Sequence, residues 1–175
     1  LCSIECSFVK PLTDEANKEF RDDIVAWSKI SNRLYIWDYV TNHAQNLLPQ
    51  PNLRVLKPNI QFFVDHSAKG IFEQGAYVCP GAEMAELKAW VLAKLLWNPS
   101  LDDRTLIEEF VSGYFGPAGP HVLAYLDLMH AAAETGGDWL GCFSPPDAAF
   151  LNFDVLSNAM ARLRTAESKV RERPE

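Results

Sequence analysis

Arg33-Leu34-Tyr35-Ile36-Trp37-Asp38-Tyr39 is the stretch on which the fold turns. Up to Asp38 its residues after Arg33 are aliphatic or aromatic, and polar Thr41, Asn42 and His43 follow. It reads as a β-strand apolar on both faces, of the kind a parallel sheet buries. Upstream, residues 14–30 carry helical spacing, with Phe20, Ile24, Trp27 and Ile30 on one side and charged residues elsewhere; Thr13 or Asp14 can cap the start. Before that helix, residues 1–8 are strand-like. Downstream comes a proline-containing loop over residues 40–52. A helix over about residues 55–66 follows, with Pro58 in its first turn, and then a short strand over residues 69–74. The order is β-α-β-α-β.

From Gly81 the pattern is helical throughout. Helices are expected over residues 82–97, 102–114, 120–134 and 154–173, broken by Asn98-Pro99, by the Gly113 to Pro117 stretch and by Gly136-Gly137. Ser100 to Asp103 resembles a capping box, and Asp154 can cap the last helix. Residues 138–152, with Trp139, Pro145 and Pro146, read as an ordered loop. Strands joined by helical crossovers favour parallel pairing. The expectation is therefore an α/β fold: the last strands and helices of a (β/α)8 barrel over residues 1–80, followed by an all-helical C-terminal region over residues 81–175. The opening has no initiator Met and no signal peptide, so the chain reads as a piece of a longer protein.

Composition narrows the functions. The chain has 175 residues, 16 Lys plus Arg against 23 Asp plus Glu, and a formal charge of −7. That acidity argues against nucleic acid as a partner. No apolar run is long enough for a membrane span; the longest, residues 89–97, contains Lys94. The cysteines at 2, 6, 79 and 142 show no CxxC or zinc-finger spacing and read as buried thiols. Cys6 has no evident histidine partner for a nucleophilic role. GxSxG, P-loop, GxGxxG and HExxH are all absent, so no metal or organic cofactor is implied.

The chemistry-bearing residues sit at strand ends. Glu5, Asp38 and Glu73 each lie at or near the C-terminal end of an expected strand, which is where parallel α/β proteins build their sites. A carboxylate ending an apolar strand is costly unless it is hydrogen-bonded or faces a ligand. The plainer reading is that each caps a loop or pairs with an arginine. Paired carboxylates suit glycoside hydrolysis, which needs a proton donor and a base or nucleophile. Trp37, Tyr39, His43, Gln74 and Tyr77 lie nearby and are the candidates for binding a sugar, through flat rings and polar tips. Tyr35 and Phe72 read as packed core. His66, His121 and His130 lie on helices and read as structural.

These stretches also carry a resemblance. Leu34-Tyr35-Ile36-Trp37-Asp38-Tyr39 is followed by Pro49-Gln50-Pro51-Asn52-Leu53, by Gly70-Ile71-Phe72-Glu73-Gln74-Gly75, by residues 86–99 ending in Trp97-Asn98-Pro99, and by Gly113-Tyr114-Phe115-Gly116-Pro117. Together, up to about His130, they resemble a large bacterial family of uncharacterised glycoside-hydrolase-like proteins with a domain of unknown function. That family is distantly similar to family 67 α-glucuronidases and β-hexosaminidase-like barrels. The resemblance implies a barrel followed by helices in secreted or periplasmic carbohydrate-processing proteins. It places Asp38 and Glu73 on the sugar-binding or catalytic face, with a general acid upstream of this chain. Three functions follow as expectations: the C-terminal part of a glycosidase acting on a poly- or oligosaccharide, a non-catalytic carbohydrate-binding module, or a helical interaction module.

Overall fold

The computed structural model describes residues 1–77, 79 and 81–171. Residue 80, the expected domain boundary, and residues 172–173 of the expected last helix lie outside that set. A 3-10 turn, Glu15–Asn17, leads into α1 (Lys18–Ile30); then come β1 (Leu34–Tyr39), α2 (Leu53–Asp65) and β2 (Ala68–Gln74). The rest is helical: α3 (Ala85–Trp97), α4 (Asp103–Phe115), a 3-10 turn at Gly116–Ala118, α5 (Gly119–Gly136) and α6 (Phe153–Ser168).

β1 and β2 pair in parallel. They form a two-stranded sheet, so the architecture is mixed α/β with one small parallel sheet, and a barrel is not seen among the described residues. The expected first strand is reduced to one parallel bridge between Cys2 and Trp37, made by Ser3 N–H to the Trp37 carbonyl (3.0 Å) and Trp37 N–H to the Leu1 carbonyl (2.8 Å). The chain then turns, Cys6 N–H bonding back to the Ser3 carbonyl at 2.9 Å. Asn17 locks this turn region: its Oδ1 accepts from Ser7 N–H, and its amide donates to the carbonyls of Ser7, Lys10 and Pro11. A side chain that supplies four bonds to neighbouring backbone outcompetes a ladder for residues 4–8.

The expectation that β1 is buried on both faces is corrected. Leu34, Ile36 and Asp38 are buried, whereas Tyr35 is 67% and Trp37 48% exposed. Phe72 on β2 is 53% exposed, so Tyr35 and Phe72 are not core. The sheet packs one face on Ile24 of α1 and Phe63 of α2, both fully buried, and leaves an aromatic face open. Tyr35 stands opposite Gly70, where an added Cβ would lie 2.8 Å from the Tyr35 ring, so the glycine makes room for that ring.

α2 joins the sheet to the helices. Its Phe63 belongs to the sheet-side core, while Leu53, Leu56 and Ile60 pack with Leu87, Val91 and Leu95 of α3 and with Leu126 and Met129 of α5. α2 starts two residues earlier than expected, which puts Pro58 inside the helix rather than in its first turn. The helix caps also differ. Asp102, not Ser100, caps α4 by accepting from Thr105 N–H (2.8 Å), and Asn152, not Asp154, caps α6 by accepting from Val155 N–H (3.1 Å). All four cysteines are unpaired.

His130 is structural. Its Nε2 accepts from Leu53 N–H (3.0 Å), closing the start of α2, and Nδ1 lies 2.7 Å from the Leu126 carbonyl. These partners fix the neutral tautomer with Nδ1 protonated. Burial is the main reason its pKa falls to about 4. The unfolded imidazole titrates near 6.5 and binds a proton that the native one refuses. This contribution is therefore complete above pH 6.5 and is lost as pH falls towards 4. The loss is expected to be about 3 kcal/mol. Urea titrations at pH 7 and pH 4.5 should show it, and His130→Gln should flatten that slope.

Candidate functional site

The parallel register sets Asp38 opposite Glu73, with Ile36 opposite Ile71 behind them. Period-two alternation then puts both carboxyls on the same, helix-covered side of the sheet. Trp37, Tyr39, Phe72 and Gln74 fall on the other side, where Trp37 Nε1 donates to Gln74 Oε1 (2.7 Å) and the Trp37 ring meets Phe72 edge-on at 4.9 Å.

Asp38 is buried and accepts hydrogen bonds from the Ser3 hydroxyl and from its neighbour Tyr39 N–H (2.9 Å). Burial raises its pKa, and the two hydrogen bonds pull the other way. Glu73 is raised well above the ordinary carboxylate range, first by burial and then by the charge of Asp38. Its Oε2 is buried and has no hydrogen-bond partner among the described residues. Neither acid makes an ion pair among the described residues. Two such acids on facing positions cannot both ionise cheaply, so the pair retains a proton at a pH where a lone carboxyl would have lost it.

Glu73 lines a cavity of about 130 Å³ with Thr41, Gly75, Ala82, Glu83 and Lys88. That is room enough to admit water. Lys88 comes from the buried side of α3; its ammonium lies 2.6 Å from Glu83 and donates to the Gln50 carbonyl at 3.2 Å. The turn that brings Glu83 back to Lys88 passes through Met84 in the left-handed region (φ 49°, ψ 36°). Sequence reading missed Lys88 and Glu83. The available signal was that Lys88 shares the helical phase of Val91, Leu92 and Leu95.

His43 stands at the centre of an aromatic group. Its ring lies 5.7 Å from Tyr39, 5.7 Å from Tyr77 and 5.9 Å from Phe143. Both ring nitrogens are buried without a partner among the described residues, and burial lowers its pKa. The Tyr39 hydroxyl and the Cys2 thiol are in hydrogen-bond contact (3.6 Å), and this contact together with burial pushes the Tyr39 pKa up to about 12. Tyr39, His43 and Tyr77 are thus brought together as a unit. Phe143 was not foreseen, because it arrives from the loop after α5. That loop is fastened by His43 N–H to the Cys142 carbonyl (2.7 Å) and by the Asn42 amide to the Ser144 carbonyl (2.8 Å). Beside it lies an open hollow of about 410 Å³, lined by Ile4, Trp139, Gly141, Phe143 and Pro145.

Glu5 does not join the other acids. The turn after Ser3 carries it to an exposed position, where it lines a separate hollow with Glu15, Asn17 and Phe20. Among the described residues no cluster of three or more His, Cys, Asp or Glu is arranged to hold a metal ion, and no helix is long and apolar enough to cross a membrane. A family model described as a domain of unknown function, DUF4838, matches residues 1–127. No curated protein and no solved structure matches the chain.

Proposed function

For a chain that belongs to the DUF4838 family, a domain of unknown function, we propose a role in cleaving O-glycosidic bonds of a poly- or oligosaccharide, as part of a glycoside hydrolase-like protein. The observation that carries this reading is the Asp38–Glu73 pair, buried at Asp38 and half-buried at Glu73, without a cation of its own among the described residues and holding a proton above the usual carboxylate range. A glycosidase needs a carboxyl that is still protonated near neutral pH and can give that proton to a leaving oxygen. Glu73, which lines the cavity, is the proton carrier; Asp38, held by Ser3 and Tyr39, keeps it protonated. Trp37, Tyr39 and Gln74 lie on the other face of the sheet from the two acids, so in this reading the sugar meets Glu73 through the cavity it shares with Thr41, Gly75 and Ala82. A remaining acid or base from a barrel beyond these residues, and a secreted or periplasmic location, go with this proposal. The test is turnover of a panel of aryl glycosides and oligosaccharides by the full-length protein, with Glu73→Gln as control. Wild-type turnover that Glu73→Gln preserves refutes the assignment.

A second reading is favoured by the open aromatic face: Tyr35, Trp37 and Phe72 form a platform on which sugar rings can stack, and the chain is then a carbohydrate-binding module. Trp37→Ala is expected to weaken retention on polysaccharide affinity gels by about tenfold, the scale of one stacked ring. Glu73→Gln should leave that retention intact. Equal retention of Trp37→Ala and wild type would dismiss the platform.

A further inference from the structure

α6 rests on α5 through small residues, Ala159 and Ala166, and turns a second face outward. Phe153, Leu156, Met160 and Leu163 are exposed on it, Phe153 at 82% and Met160 at 51%, and Val170 is exposed in the turn that follows, its N–H bonded to the Glu167 carbonyl at 3.1 Å. Their positions run in alternating steps of three and four, with Glu167 filling the one remaining place before Val170. That is the spacing of a two-helix seam, narrower than the apolar face of a helix buried in a core. Among the described residues nothing covers it.

We infer that this stripe is the interface of a homodimer, in which α6 packs antiparallel on α6 of a second copy about a twofold axis between Met160 and Leu163. In that register Met160 meets Leu163 of the second copy and the large Phe153 meets the smaller Val170 at each end. Only the Leu156 layer faces a polar residue, Glu167. The charges select the same arrangement. Asp154 lies in the first turn of α6, whereas Arg162, Arg164, Lys169 and Arg171 all lie in its second half or just beyond. Antiparallel packing brings Arg171, which in its own chain lies 3.5 Å from Glu167, to the side of the seam holding the Asp154 of the other copy, and it opposes the helix dipoles. A parallel pair would stack Glu167 on Glu167 and the four cations on their own copies. Twofold self-pairing is also the commonest closed assembly. The 16 residues of α6 span about 24 Å, so the seam is short and the dimer belongs at the weak, micromolar end.

Sedimentation equilibrium of the chain over roughly 1–300 µM should show mass rising towards twice that of the monomer. Met160→Glu and Leu163→Glu are expected to weaken association at least about thirtyfold each, as central seam residues do. Both positions are exposed, so thermal midpoints measured at a concentration where wild type is monomeric should not move. Met160→Gln serves if an acidic variant fails to fold. Arg171→Asp should weaken the dimer about threefold, and adding Asp154→Arg should restore it. A chain that stays monomeric throughout, or a dimer indifferent to Met160→Glu and Leu163→Glu, overturns the inference. A dimer sensitive to those two but indifferent to the charge reversals overturns the antiparallel register.

Discussion

Glu73→Gln in the full-length protein is expected to cost at least about a hundredfold in turnover while making the fold more stable at neutral pH. The two effects have one origin. A carboxyl whose native pKa lies above its unfolded value favours the fold while both states are protonated, below the unfolded pKa. That contribution is lost as pH rises through the native value. Glu73 is in this position through burial and the neighbouring Asp38. At pH 7 the wild type therefore carries a destabilised acid that glutamine does not have. The stability advantage of Glu73→Gln should shrink as pH is lowered to about 4, where the acid is protonated in both states. Asp38→Asn should lose a similar factor in turnover and also move the alkaline limb of the pH–rate profile to lower pH, because it removes the charge that raises Glu73. Asparagine Oδ1 can still accept from Ser3 and Tyr39 N–H, so the fold survives the change. Turnover near wild type in either variant removes that residue from the mechanism. A stability gain without any turnover to lose in the wild type would leave the binding-module reading in its place.

The second large effect is expected at Lys88. Lys88→Ala should destabilise by about 3–5 kcal/mol, since it leaves Glu83 largely buried without its cation. Chemical denaturation at pH 7 measures this. Replacing both partners, Lys88→Met with Glu83→Gln, should recover most of the loss, because the cost arises from the uncompensated charge. A Lys88→Ala variant within about 1 kcal/mol of wild type would mean that solvent already reaches the pair.

What could be read in advance followed from local chemistry. The strands β1 and β2, their parallel pairing and the terminal positions of Asp38 and Glu73 all show in sequence, since apolar runs ending in carboxylates leave little choice. The facing register of the two acids did not show in sequence: β1 has six residues and β2 seven, and the ladder is irregular between Leu34 and Tyr35. Burial on both faces was misread because Tyr35, Trp37 and Phe72 count as apolar in a pattern whether they are covered or open. The first strand was misread because the side chain that ends it, Asn17, lies in a different segment and acts through four hydrogen bonds to backbone. Lys88 was hidden by its own stem, which passes for part of an apolar helix face. Phe143 had no local signal at all, since its place beside His43 depends on two chain segments meeting.

That meeting carries a consequence for how the protein is made. The contacts fastening the late loop to the strand ends join residues far apart in the chain: Asn42 to Ser144 across 102 positions, Leu140 to Ser7 across 133, and Cys142 to Ile4 across 138. Closing segments so distant is the slow part of assembly. On the ribosome, β1 and β2 emerge long before the residues that complete their surroundings. The pocket around His43 is thus finished only when most of the chain has been synthesised, whereas the cavity beside Glu73, lined by residues no later than Leu92, can close well before the loop that carries Phe143 is made.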